Sequence, residues 1–276
     1  MGKVKIKKKS TLIDMTAMSD VTVLLLTFFM LTSTFLKKEP TVVYTPSSVS
    51  EEMIPASDLV TVLVSSVDKS GKLQDPTAVE GKIFLSFAGD SLISSEALRT
   101  AVLQEAVAIY NKKNPKNPLT LNQKQVSTFA RSNMMGVPFK VLPQVLDMDP
   151  AAMDKFMTEL ERPEVGIPID SRNKNKDDVA RLNDFQIWMK ALGNFASDKR
   201  KEKIAEMGLD ETTPEGRQAI RELDILYNAL YQGRGISIKA DRDTPFATIH
   251  EVFDNLQTMG LNKFTLQTAL KTDTEE

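Results

Sequence analysis

Apolar and polar positions divide the chain into a short N-terminal part and a long, more regular remainder. The most apolar stretch is 15–36, MTAMSDVTVLLLTFFMLTSTFL. As a helix at about 1.5 Å per residue it would be roughly 33 Å long, which is enough to cross the hydrocarbon core of a bilayer. The pattern therefore predicts one N-terminal transmembrane helix, preceded by a basic tail over 1–14.

The segment 37–58 follows the predicted span and has no hydrophobic periodicity. It contains Pro40, Pro46, Pro55 and several serines, a composition typical of a semi-extended tether. Its short apolar piece at 42–44, VVY, either pairs as a strand with a sheet edge or is plain linker. We therefore expect a linker between the span and a folded domain at 59–276.

Regular patterns begin at residue 59. Alternating and β-branched residues predict strands at 59–67 and 82–87, and one apolar face predicts a helix at 96–110. Near the C-terminus, 236–268 alternates, turns helical and alternates again, with Thr244 as the expected N-cap and Gly260 as the expected helix stop. This strand–helix–strand pattern predicts a βαβ crossover.

The middle of the chain, 111–235, is predicted to be mainly helical, with helices at 122–132, 150–160, 183–195 and 214–231. Two short segments echo each other there, GVPF at 136–139 and GIPI at 166–169. We therefore predict an α+β chain with one transmembrane helix and a small α/β sandwich domain. The core of that domain is expected over 59–110 and 236–269, with 111–235 as a helical insert.

Composition excludes most catalytic chemistry. The chain has no cysteine and one histidine, which rules out disulfides, thiolate metal sites and most histidine-based triads. It carries neither a P-loop nor a dinucleotide-binding glycine pattern, so we expect no enzyme, no cofactor and no metal. The net charge of −2 argues against nucleic-acid binding. Five lysines precede the span and two follow it, which predicts a cytoplasmic N-terminus.

Asp20 is the candidate functional residue, because carboxylates inside a membrane span are costly and mark ion pathways. At 100° per residue, Thr16, Asp20, Thr27 and Thr34 fall within about 40° of one another and predict a polar pore stripe. Three alternatives remain open. Asp20 could cap a helix that begins at Val21 at headgroup depth, the threonine hydroxyls could bond to their own helix, or the segment could be a cleaved signal peptide.

The run IDMTAMSDV at 13–21, followed by LLLTFFMLTSTF, resembles the N-terminal signature of the ExbD/TolR family. In that family a basic tail precedes a Thr-x-x-x-Asp element and one leucine-rich span. The segment 236–268 resembles the family's C-terminal part, and GIPID at 166–170 resembles longer members. Ala17 stands where many relatives have proline, which affects the angle at which the chain enters the membrane. The resemblance implies that Asp20 is the ion-carrying aspartate.

The same resemblance implies a function. It suggests a motor or stator subunit of the inner membrane, single-pass and homodimeric, with a periplasmic C-terminal domain. With an ExbB/MotA-like pentameric channel partner it would use a proton, or sodium, gradient to energise TonB-dependent outer-membrane transport through a TonB-like transducer. The alternatives are a TolR-like or gliding-type motor subunit, and a passive membrane-tethered periplasmic binding module in which Asp20 is only an interface cap.

Overall fold

The computed structural model describes residues 15–32, 43–48, 59–68, 79–89, 93–223, 225–232 and 235–270. The chain divides into two units, Met1–Lys38 and Glu39–Glu276. In the first unit the described residues form one helix, α1 (Met15–Thr32). Among the residues that the structure describes, none of the helices combines the length and the apolarity that a membrane crossing needs. The predicted span is therefore not confirmed, and its last residues, 33–36, lie outside the described part.

The second unit combines strands and helices and confirms the predicted α+β class. Its described strands are β1 (Ser47–Ser48), β2 (Val60–Asp68), β3 (Val79–Phe87), β4 (Ile236–Ala240), β5 (Thr265–Gln267) and β6 (Ala269–Leu270). Its described helices are α2 (Ser95–Lys113), α3 (Gln123–Arg131), α4 (Leu142–Leu146), α5 (Pro150–Thr158), α6 (Asp184–Met207), α7 (Pro214–Glu222), α8 (Leu226–Gln232) and α9 (Phe246–Thr258). A short 3-10 helix, Val179–Arg181, precedes α6.

The main sheet has the strand order β3-β2-β4-β5. β2 pairs antiparallel with β3 and parallel with β4, and β4 pairs parallel with β5. The connection from β4 through α9 to β5 is thus the predicted βαβ crossover. β1 and β6 form a separate two-stranded parallel pair. Because β2 and β3 have buried side chains on both of their faces, the sheet lies inside the fold.

The ends of α9 match the sequence prediction at one terminus only. At the C-terminus Gly260 has a φ of 81°, and the Leu261 N–H donates to the Leu256 carbonyl at 2.9 Å, as in a Schellman motif. At the N-terminus the predicted cap is wrong, because the N-cap residue is Pro245 and no side chain bonds there. The buried Thr244 hydroxyl lies 3.5 Å from the Val64 carbonyl instead.

The charged run at 197–203 belongs to α6, which continues to Met207, well past the predicted end at residue 195. Successive lysine–glutamate pairs such as Lys199–Glu202 (2.7 Å) and Lys203–Glu206 (2.8 Å) lie three residues apart on its surface. Pairs at this spacing favour a helix modestly. The run is therefore a solvated helix face.

The predicted helix at 214–231 is two helices, α7 and α8. The side-chain amide of Asn228 in α8 donates to the carbonyls of Ile220 (2.7 Å) and Leu223 (2.8 Å) at the end of α7. These carbonyls would otherwise be left without partners where a helix stops. The break is therefore stabilised by a side chain from the following helix.

Trp188 in α6 lies where the outer segments and the middle of the chain meet. Its ring centroid is 5.9 Å from that of Phe87 at the end of β3, 5.5 Å from Phe129 in α3 and 4.9 Å from Phe139. Most of the buried apolar residues of 59–110, 111–235 and 236–269 belong to one hydrophobic cluster. The division of the sequence into a domain core at 59–110 and 236–269 and an insert at 111–235 remains a prediction. In the structure, side chains from all three segments pack in one hydrophobic cluster.

Candidate functional site

Asp20 lies inside α1 and is exposed. It is the only charged residue of that helix. Because α1 begins at Met15, Asp20 is not the N-cap of a helix starting at Val21. The side chains from Met18 to Leu31 are all exposed, so this helix presents a carboxylate on an otherwise mainly apolar and uncovered surface.

The threonines of α1 bond to their own helix where they are described. The Thr27 hydroxyl donates to the Leu24 carbonyl at 3.0 Å, and the Thr22 hydroxyl donates to the Met18 carbonyl at 2.9 Å. Thr16 is in α1, but its side chain is not among the described ones, and Thr34 lies outside the described residues. Thr27 therefore makes the hydrogen bond to its own helix that one of the alternatives predicts. The polar stripe stays a prediction.

Part of the predicted linker contacts its own domain. Val43 is buried, the Tyr44 carbonyl accepts a hydrogen bond from the Arg242 N–H at 2.8 Å, and the Arg242 guanidinium lies 5.9 Å from the Tyr44 ring centroid. The short strand of this region is Ser47–Ser48, which pairs with β6. Of the two alternatives left open for 42–44, the structure has no strand at Val43 and Tyr44, and Val42 lies outside the described part.

A buried set of amides joins α6 to α9. Asn183 caps α6 by accepting the Gln186 N–H at 2.7 Å, and its own amide donates to Asn255 Oδ1 at 2.8 Å and to the Asp170 carbonyl at 2.7 Å. These groups satisfy one another inside the protein. The Asn-x-x-Gln spacing of Asn183 and Gln186 is a capping-box pattern that the sequence alone can reveal. No local pattern indicates that Asn255 is a partner of Asn183.

Arg99 in α2 is buried and serves the backbone. Its Nε donates to the Phe87 carbonyl at 2.8 Å and its Nη1 donates to the Ala130 carbonyl at 2.9 Å. Burial lowers the pKa of Arg99, partly offset by the nearby charge of Glu96. Sequence patterns did not single out this arginine, because its acceptors are main-chain atoms of distant segments.

Asp241 directly follows β4. Its Oδ2 accepts the Ser66 hydroxyl at 2.7 Å, while its Oδ1 is buried without a hydrogen-bond partner. The part of the chain that the structure describes holds no cluster of three or more acids, histidines or cysteines that could bind a metal. Asp241 therefore bonds to β2 through Ser66, and Asp20 remains the candidate for function.

Residues 7–132 match the family model described as Biopolymer transport protein ExbD/TolR. This part of the chain is similar to the ExbD/TolR family. The match includes Asp20 and runs to the end of α3, whereas 236–270 lies beyond it. None of the curated proteins and none of the solved structures compared with the chain matches it. Proteins of the ExbD/TolR family serve energy transduction for biopolymer transport, alongside channel partners of the ExbB/TolQ type.

Proposed function

We propose that this chain is the ion-driven motor subunit of an inner-membrane complex that energises TonB-dependent outer-membrane transport. In this proposal α1 and the residues after it cross the membrane once, and the basic tail is cytoplasmic. The domain from residue 59 onward is periplasmic. Two copies place their helices inside a five-subunit ExbB-like channel, and the domain works on a TonB-like transducer.

The observation that carries the proposal is a single carboxylate on an exposed apolar helix within the family match. Large apolar side chains that are exposed all round a helix need lipid or a protein partner to cover them. A carboxylate on the same helix is then costly unless it faces a polar path. Asp20 meets that description, and no other residue of α1 is charged.

Asp20 would work by changing its charge. The ionised carboxylate is disfavoured next to lipid, so it binds a proton before it passes apolar surface and releases that proton beside a polar partner. Moving one charge through about 100 mV yields about 2.3 kcal/mol, which is enough to bias a rotary or rocking step. Serine and threonine neighbours also suit sodium, so the residue is better supported than the identity of the ion.

The test is the variant Asp20→Asn in cells that depend on this chain for energised uptake. We expect uptake to be lost at normal protein levels, because the asparagine amide neither binds nor releases a proton at the pH of the cell. A matched pair tests the stripe. Thr27 lies on the Asp20 side of the helix and Thr22 lies about 160° from Asp20 around the helix axis, although both hydroxyls bond to their own helix. The pair is therefore Thr27→Val and Thr22→Val.

We expect Thr27→Val to reduce uptake and Thr22→Val to leave it unchanged. If Asp20→Asn cells keep energised uptake, Asp20 has no part in the mechanism and the passive tethered module becomes the better description. If uptake survives but envelope integrity or gliding fails, the chain drives a TolR-like or gliding-type system instead.

A further inference from the structure

β3 is an edge strand of the main sheet, and it is the kind of edge that attracts other strands. It is nine residues long, VEGKIFLSF, and its second half is strongly apolar. Ile83, Phe84, Leu85 and Phe87 are all buried. Long apolar edges pair with other chains unless something covers their outward backbone groups. The groups that bond to the outward side of β3 therefore determine whether this edge can pair with another chain.

Three separate parts of the chain cover it. The Leu85 N–H donates to the Met135 carbonyl at 2.7 Å, and the Met135 N–H donates back to the Leu85 carbonyl at 2.8 Å. The Ile167 N–H donates to the Ile83 carbonyl at 2.9 Å. Arg99 Nε donates to the Phe87 carbonyl at 2.8 Å. Along the apolar half of β3, the outward carbonyls of Ile83, Leu85 and Phe87 and the N–H of Leu85 are thus bonded within the same chain.

Two of these partners come from the segments that echo each other in the sequence. In GVPF, Gly136 follows Met135, and a Cβ on Gly136 would overlap the Phe84 ring. In GIPI, Gly166 has a φ of 101° and its N–H donates to the Gly136 carbonyl at 2.7 Å. Each segment then reaches a proline, which has no N–H to extend the pairing. The two similar segments are therefore short stretches of chain, called brackets below, that bond to each other and to β3.

We propose that these brackets, residues 133–137 and 165–167, are an edge cap that prevents β3 of one copy from pairing with β3 of a second copy. A second copy fits because the alternate outward groups at Ile83, Leu85 and Phe87 would be self-complementary in an antiparallel pair about a two-fold axis. Met135 already pairs with Leu85 in that antiparallel manner. The cap is independent of the ion mechanism proposed for Asp20.

The test compares Gly136→Ala with Gly193→Ala in the full-length chain in detergent. Gly193 lies in α6, and the nearest atom to an added Cβ there is the Tyr231 hydroxyl at 3.5 Å. Gly193→Ala therefore makes the same substitution within 111–235 but outside the cap. A second variant, Met135→Pro, removes the N–H that the Leu85 carbonyl accepts and leaves Gly136 in place. Hydrogen exchange measures opening at the Leu85 amide, and sedimentation velocity measures self-association.

We expect exchange at Leu85 to be at least about tenfold faster in Gly136→Ala and Met135→Pro than in the wild type. Both should form assemblies larger than the wild-type chain at the same concentration, and Gly193→Ala should not. A synthetic peptide of residues 133–139 added in excess should restore wild-type sedimentation.

Faster exchange with wild-type sedimentation would show that the cap only stabilises the fold, and the proposal would be overturned. Unchanged exchange in both cap variants would overturn it as well. So would association that the peptide fails to reverse, since the contact would then lie elsewhere.

Discussion

Asp184 is the first residue of α6, and its carboxylate is held away from water. It accepts the Phe139 N–H at 2.9 Å, two residues after the cap segment 133–137. Burial raises the pKa of Asp184, and this effect exceeds the opposing influence of the Phe139 bond and of Lys113 and Lys140. The residue thus positions the Phe139 backbone, while burial makes its ionised form unfavourable.

The raised pKa of Asp184 predicts a pH-dependent effect of Asp184→Asn. The Asp184 carboxyl binds its proton more tightly in the folded chain than in the unfolded chain, where the pKa of an aspartate is about 3.9. Stability is therefore lost as the pH rises from about 3.9 through the higher pKa of the folded chain. The amide oxygen of asparagine still accepts the Phe139 N–H and does not ionise. We expect the variant to melt higher than the wild type at about pH 7 and the gain to shrink as the pH falls to about 4.

Thermal unfolding followed by circular dichroism across this pH range measures the gain. Asp198→Asn is the control, because Asp198 lies on the same helix and is exposed. A gain of equal size in both variants at every pH would contradict the role of burial at Asp184.

Two helices begin with the same capping box and differ in what else the cap residue does. Asn122 starts α3 and Asn183 starts α6, and in each box a glutamine three residues on completes the reciprocal bonds. Asn122 is exposed, whereas Asn183 is buried and also donates to Asn255 and to the Asp170 carbonyl. One box closes a helix, and the other also joins α6 to α9.

We therefore expect Asn183→Ala to cost more than Asn122→Ala. Loss of a cap alone costs about 0.5–2 kcal/mol, and a buried acceptor left without its donor adds about 1–3 kcal/mol. Asn183→Asp separates the two effects, since a carboxylate still caps the helix but cannot donate to Asn255. Urea unfolding of the three variants measures these differences, and equal losses for Asn122→Ala and Asn183→Ala would refute the joint.

At the scale of the whole molecule, the sheet and the middle helices of the second unit share one core around Trp188. The indole is buried against Phe87, Phe129 and Phe139, and its Nε1 has no hydrogen-bond partner. Its value to the fold is therefore the packing of its rings. β3, α3 and α6 are stabilised by the same side chain.

This arrangement predicts that Trp188→Ala loosens the outer segments and the middle helices together. Truncation of a buried aromatic costs about 3–5 kcal/mol, whereas Trp188→Phe keeps most of the stacking, removes the unpaired N–H and should stay within about 1.5 kcal/mol of the wild type. Hydrogen exchange by segment tests this. Loss of protection in α3 and α6 with β3 unchanged would show that 111–235 is a separate domain.

The sequence by itself determined the elements whose patterns are local. The alternation of β2, the apolar face of α2, the βαβ unit and the stop at Gly260 follow from neighbours within a few residues, and the structure has them close to the predicted places. Asp20 stood out for a similar reason, as one charge in an apolar run. The division of 214–231 was not visible, because the amide that stabilises the break belongs to Asn228 in the second helix.

Only the tertiary structure decided which distant segments meet. Leu85 and Met135, Asn183 and Asn255, and Tyr44 and Arg242 are joined across long stretches of chain. The repeated glycine and proline of GVPF and GIPI were legible as an echo, but their use as an edge cap required the position of Phe84. Periodicity records whether a side chain is buried, and it carries no information about the partner that buries it. That choice depends on how strands and helices pack against one another once the chain has folded.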